Sequence, residues 1–172
     1  MQGKKLKFMK YSNYYQSALG NILLSADDIG LSGLWFEAQK YYSRGLEVFA
    51  EQKEMPVFDK TKHWLDIYFS GIEPDFTPPL HLIGTDFQKD VWQILLNIPY
   101  GHTTTYSGVA KEVALKRGME SMSAQAVGGA VGHNPISIIV PCHRVLGSNG
   151  CLTGYAGGID KKMFLLNMEK GL

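Results

Sequence analysis

Val140-Pro141-Cys142-His143-Arg144-Val145 sets a cysteine directly before a histidine, after an apolar run that begins at Ile136 and ahead of a glycine-containing turn. An apolar run ending in proline has the pattern of a buried strand emptying into a cleft, so Ile136 to Val140 is expected to hold Cys142 fixed at a strand end. A free thiol, with a pKa of about 8.5, is only a few per cent ionised at neutral pH, so a nucleophilic cysteine needs a base or positive charge nearby. His143 is the candidate base. Neighbouring side chains on extended backbone point opposite ways, which favours a water bridge between Cys142 and His143 over direct contact.

Working outward, the bulk composition bounds the class. The chain has 172 residues, 45% apolar and 19% charged, which is ordinary for a folded globular protein of one or two domains. No apolar run approaches the roughly 18 to 20 residues of a membrane span. The start, Met1-Gln2-Gly3-Lys4-Lys5-Leu6-Lys7, is basic but is followed by no signal-peptide core. These features read as an intracellular, cytoplasmic protein without a membrane partner. Two cysteines, Cys142 and Cys151, make no disulfide framework and no zinc pattern, so both are expected as reduced thiols, with Cys151 a loop or packing residue. A net charge of +1 demands no nucleic acid, although Lys111 to Arg117 offers a local basic surface.

The segments Gly20 to Ser25 and Leu31 to Phe36 flank an Asp/Gly turn and read as a hairpin. A helical period covers about Pro56 to Phe69, with Phe58, Trp64, Leu65, Tyr68 and Phe69 near one face. Gly71 to Pro79 then carries three prolines and no helical period, which places a domain boundary near residues 71 to 84. Beyond it, Thr85 to Leu96 reads as a capped amphipathic helix with Phe87, Val91 and Leu95 in the core. Two further helices, about Ser107 to Leu115 and about Ser123 to Val131, have helix-turn-helix spacing. The second contains Gly128 and Gly129 and reaches Gly132. Each costs about 1 kcal/mol relative to alanine in a helix, so something requires a slim surface there, either tight packing within the protein or close approach to a nucleic-acid groove.

With Val140 to Val145, Gly154-Tyr155-Ala156-Gly157-Gly158, Ala126-Val127-Gly128-Gly129-Ala130, Asn134-Pro135, Pro99-Tyr100-Gly101 and Thr105-Tyr106-Ser107 together, the chain resembles the O6-alkylguanine-DNA alkyltransferases. The resemblance is dense over about Thr85 to Gly171 and rests mainly on Gly33-Leu34-Trp35-Phe36 before that. It implies an α/β, ribonuclease-H-like N-terminal domain over residues 1 to 80, its linker starting near residue 71. A mostly α-helical C-terminal domain with the helix-turn-helix and the acceptor cysteine would follow over residues 84 to 172.

The activity so implied is direct-reversal DNA repair, a stoichiometric and irreversible transfer of the alkyl group from O6-alkylguanine to Cys142, with O4-alkylthymine a second candidate substrate. No cofactor and no metal are implied. By resemblance, His143 is the base acting through water, Glu169 orients it, and Asn134 braces the turn beside the cysteine. Tyr106 protonates the departing guanine and crowds the phosphate, Tyr155 packs on the extruded base, and Ala156, Val145 and Lys162 complete the substrate surroundings. Ala124, Gln125, Ala126 and Gly128, with Tyr106, would meet double-stranded DNA in the minor groove, whose narrowness suits a glycine-rich helix. The target atom lies inside the duplex stack, so the nucleotide must be turned out first. The protein is expected to act as a monomer, with cooperative binding along DNA left open.

Two positions depart from the family pattern. Gln125 stands where an arginine usually fills the gap left by the extruded base, and glutamine lacks the planar cation that stacks there. Slower extrusion is therefore expected, partly offset by Lys111, Lys116 and Arg117 if these face the backbone, and reversed by Gln125→Arg. Ala156 stands where some relatives carry serine, removing a donor. The cysteine-rich zinc site of some eukaryotic relatives has no counterpart in residues 1 to 80, which contain no cysteine. Two competing readings are a non-catalytic alkyl-lesion binder, which would lack the acceptor cysteine, and a multiple-turnover thiol hydrolase.

Overall fold

The computed structural model describes residues 9–46 and 50–171; the amino-terminal heptapeptide read above for a signal peptide lies outside them. Strands β1 (Tyr11–Ser17), β2 (Gly20–Ala26) and β3 (Leu31–Phe36) form an antiparallel meander, and the short β4 (Glu51–Gln52) pairs parallel to β1, giving the order β3-β2-β1-β4. The β2–β3 hairpin falls where the Asp/Gly turn predicts it. There Asp27 Oδ1 accepts from the amides of Ile29 and Gly30, while Asp27 Oδ2 pairs with His81 Nδ1 at 2.6 Å. Glycine is required at Gly33, since a Cβ would fall about 2 Å from the Trp35 ring, which lies on the same face of β3. One helix, α1 (Pro56–Phe69), has proline in its first turn and buries Phe58, Trp64, Leu65 and Tyr68 against the sheet and the second domain.

The C-terminal half is helical. Helix α2 (Asp86–Leu96) opens with a full capping box, in which Thr85 Oγ1 accepts from Gln88 N and Gln88 Oε1 accepts from Thr85 N. Helices α3 (Tyr106–Lys116) and α4 (Ala124–Gly132) are capped by the hydroxyls of Thr105 and Ser123 and are joined by a short turn, the helix-turn-helix read from spacing. Trp92 of α2 donates its indole N–H to the carbonyl of Ala130 in α4 at 2.9 Å and so fixes the two helices together. Helix α5 (Ile159–Glu169) closes the domain.

Two small pairings aim the site. Strands β5 (Thr104–Thr105) and β6 (Val145–Leu146) pair in parallel, which brings the first residue of α3 beside the segment that follows Cys142. Leu34 of β3 donates its amide to Pro135 O at 2.8 Å and accepts from Ser137 N at 3.0 Å, so the outer edge of the N-terminal sheet grips the segment leading to Cys142.

The expectation of a strand over Ile136 to Val140 is corrected here. Only Ile136 makes a β-bridge; Ser137 to Val140 form a tight turn in which Val140 N donates to Ile136 O at 3.1 Å, and Ile138 has φ +69. A buried β-branched residue in the left-handed region is a strained conformation, held here because its neighbours over-determine it. The chief restraint is Asn134, whose Nδ2 donates to Ile136 O (3.2 Å) and Val140 O (2.8 Å) while its Oδ1 accepts from Ile136 N (3.0 Å). The run is apolar because it is buried, not because it is extended.

Candidate active site

Cys142 begins a single 3₁₀ turn, Cys142–Arg144, that follows the strained segment, and only 5% of it is exposed. Burial pushes its thiol pKa up, opposed by the Asn134 amide, the Lys162 charge and the main-chain N–H groups of Cys142 and His143. These are the groups that would stabilise negative charge once the proton has left.

His143 is fully buried behind it, with Nε2 2.6 Å from Glu169 Oε1. Burial holds the imidazole below its ordinary pKa, opposed by Glu169. Although burial favours a neutral Glu169, its hydrogen bonds from His143 and Arg144 hold that carboxyl down at about 2. An ionised Glu169 accepts, so the His143 proton resides on Nε2 and Nδ1 is the basic nitrogen. Among the described residues Nδ1 is buried and has no hydrogen-bond partner in the protein. The carboxylate also receives a bidentate pair from Arg144, Nε to Oε2 and Nη2 to Oε1 at 2.9 Å each, as well as the Gly101 amide at 3.3 Å and the Tyr68 hydroxyl at 2.7 Å. Arg144 Nη1 reaches Ile98 O at 2.7 Å. A buried charge with this many donors is satisfied rather than stranded.

A cavity of about 370 Å³ opens in front of Cys142, walled by Tyr106, Gly128 and Gly129 on one side, Asn134 and Ser137 behind, and Tyr155 and Ala156 opposite. Tyr106, the first residue of α3, leans its ring on Gly128 and donates its hydroxyl to Thr153 O at 3.2 Å. Tyr155 packs against the core, its buried hydroxyl unpaired among the described residues. Lys162 and Val145 stand behind the wall rather than in it: Lys162 is fully buried and donates to the carbonyls of Val145 (2.6 Å), Thr153 (3.0 Å) and Gly154 (3.2 Å). It thereby locks the loop that carries Tyr155. Burial lowers its pKa, opposed by Cys142.

On α4, Gln125, Ala126 and Gly129 face outward, while Val127, Ala130 and Val131 face the core, and Ala124 and Gly128 are half-buried. A Cβ at Gly129 or Gly132 would meet no atom within 4 Å, so packing within the protein asks for glycine at neither. The basic offset considered for Gln125 is partly engaged elsewhere, because Lys116 and Arg117 both pair with Asp90, at 2.7 and 2.8 Å.

Several cavity residues escaped the sequence reading. Lys40 and Tyr41 enter from the N-terminal domain, Tyr41 stacked on His133 with ring centroids 4.2 Å apart, and Lys40 N bonded to Ala156 O at 3.0 Å. Arg144 and Tyr68 were also missed as partners of Glu169. Arg144 lay in the quoted hexapeptide, and a polar tip on the apolar face of α1 was the available signal for Tyr68.

Fold and site together define a two-domain protein in which a helix-turn-helix unit holds a buried thiol against an acid–histidine pair. Residues 86–171 match the model of the 6-O-methylguanine DNA methyltransferase DNA-binding domain, and residues 10–82 match that family's ribonuclease-like domain. The chain belongs to the 6-O-methylguanine DNA methyltransferase family. It is 40% identical over 161 residues to a methylated-DNA–protein-cysteine methyltransferase of Haemophilus influenzae, covering 93% of this chain and 86% of that one. Identity to the Methanosarcina barkeri protein of the same name is 44%, covering 93% and 97%. The crystal structure of a Mycobacterium tuberculosis OGT in complex with DNA superposes with a TM-score of 0.80 at 38% identity, covering 94% of this chain and 93% of that one.

Proposed function

We propose that Cys142 is the acceptor in a stoichiometric, irreversible transfer of the alkyl group from O6-alkylguanine in duplex DNA, a direct-reversal repair. The observation that carries this reading is a buried thiol facing an open-mouthed cavity with an ionised Glu169 and a neutral His143 behind it. His143 Nδ1 takes the Cys142 proton through one water. The thiolate attacks the alkyl carbon in line, forming the S–C bond as the C–O6 bond breaks, and the electron pair leaves on O6. Tyr106 supplies a proton to the departing guanine and is restored from solvent. The thioether product has no group that water displaces under mild conditions, so each molecule reacts once.

The outward face of α4, with Gln125, Ala126 and Gly129, is the surface we assign to the minor groove, and its glycines without internal neighbours support that assignment. Tyr155 would pack on the extruded base beside Ala156, and Ala124 and Gly128 would border the groove. The division near residues 71 to 84, action as a monomer with room for cooperativity along DNA, and a cytoplasmic setting belong to the same reading. No helix among the described residues is long and apolar enough to cross a membrane.

Intact-protein and peptide mass spectrometry after incubation with duplex DNA bearing a single O6-methylguanine tests this. The expected result is one methylene mass on the Cys142 peptide, stopping at one equivalent and absent from Cys142→Ala. Retained lesion binding without mass gain would instead make the protein a damage sensor, and release of more than one equivalent would make it a hydrolase.

A further inference from the structure

One partner of Glu169 comes from the other domain. Tyr68, on the inward face of α1, donates its hydroxyl to Glu169 Oε1 at 2.7 Å, the oxygen that also bonds His143 Nε2 at 2.6 Å; Tyr68 Oη lies 3.3 Å from that nitrogen. The hydroxyl is fully buried, and its ring is held by a stack on Trp64 (5.2 Å between centroids) and edge contacts with Phe69 and Tyr100 (5.6 and 6.1 Å). We propose that Tyr68 is a positioning residue for alkyl transfer, its hydroxyl fixing the Glu169 oxygen that orients His143 and so making the N-terminal domain part of the reacting site. The inference rests on Cys142 being the acceptor.

The electrostatic consequence has a definite sign. His143 faces Glu169 and Lys162 from α5, Arg144 and Cys142 from its own turn, and Tyr68 from α1, while Tyr100 and Tyr155 flank Glu169. Burial, Arg144 and Lys162 favour neutral imidazole; Glu169 favours the cation. Each donor on Glu169 draws charge away from the His143 bond, and Tyr68 shares the very oxygen involved. Without that hydroxyl, Oε1 turns more of its charge toward Nε2, and His143 keeps a second proton to higher pH. A protonated His143 has no lone pair with which to take the thiol proton.

The test uses the full chain as wild type, Tyr68→Phe and Tyr15→Phe. Phenylalanine keeps the ring contacts of Tyr68, and Tyr15 is the control because its hydroxyl bonds Asp66 on the same domain. The readouts are the His143 titration by NMR on labelled histidine and the single-turnover methyl-transfer rate from duplex O6-methylguanine between about pH 5 and pH 9. Tyr68→Phe is expected to raise the His143 titration by about one unit and to slow transfer about 10-fold on the acid limb, leaving the alkaline plateau within about two-fold. Tyr15→Phe should overlay wild type. An unmoved His143 titration, or a uniform rate loss at every pH, would reduce Tyr68 to a packing residue and overturn the proposal. If wild type transfers no methyl group while the titration moves as stated, the acceptor assignment fails and the control of His143 by Tyr68 stands.

Discussion

Glu169 gathers a histidine, an arginine, a tyrosine and a main-chain amide around one carboxylate, and its charge state governs them all. Its pKa of about 2 lies below the ordinary 4.5, so it contributes stability that is present above about pH 4.5 and lost as pH falls toward 2. His143 acts in the same direction: its folded pKa is depressed below 6.5, and stability falls as pH drops through and below that value. Glu169→Gln would leave Arg144 buried without its counter-charge and should cost about 3–5 kcal/mol at neutral pH. Urea denaturation of both proteins at several pH values should show that gap shrinking as pH approaches 2. A gap independent of pH would mean that the lost shape, not the lost charge, sets the cost. Cys142 and His143 were legible from one hexapeptide. Tyr68 was not, because its partner lies 101 residues away and an aromatic on an apolar helical face looks like core until the fold reveals what its hydroxyl meets.

At the scale of elements, helices announced themselves best. Thr85 with Gln88, Thr105 and Ser123 mark their N-termini chemically, and the observed ends lie within a residue of the expected ones. The acceptor turn did not, since a buried run such as Ile136 to Val140, apolar but for Ser137, carries no period that separates a strand from a buried turn. Its shape depends on Asn134 bonding to both ends of the segment, two and six residues on, a local side-chain brace that hydrophobic periodicity does not register. For α4 the two explanations offered for its glycines can now be separated. Gly129→Ala meets no atom of the protein, so it should stabilise the helix by about 0.5–1 kcal/mol and raise the melting temperature. If the slim face serves the groove, the same variant should bind duplex DNA more weakly by fluorescence anisotropy. Unchanged affinity would remove DNA as the reason for glycine there.

Across the whole molecule, the domains are joined through main chain as well as side chains. Leu34 bonds to Pro135 and Ser137 and Lys40 bonds to Ala156, while Leu31 bonds to Pro79 and His81 of the connecting segment. These contacts predict one cooperative unfolding transition rather than two. Far-UV circular dichroism and tryptophan fluorescence, which samples Trp35 and Trp64 in one domain and Trp92 in the other, should superpose in urea; separated midpoints would show the halves to be independent. The grip of β3 on the acceptor turn also has a colloidal meaning. β3 is the outer strand of its sheet and all its residues are buried, the kind of edge that invites pairing with another chain when left open. Here Leu80 covers one end and the segment before Cys142 covers the other. The turn that presents the thiol is therefore also the sheet's guard against self-association, and whatever loosens it unmasks an adhesive strand in the same motion that disarms the chemistry.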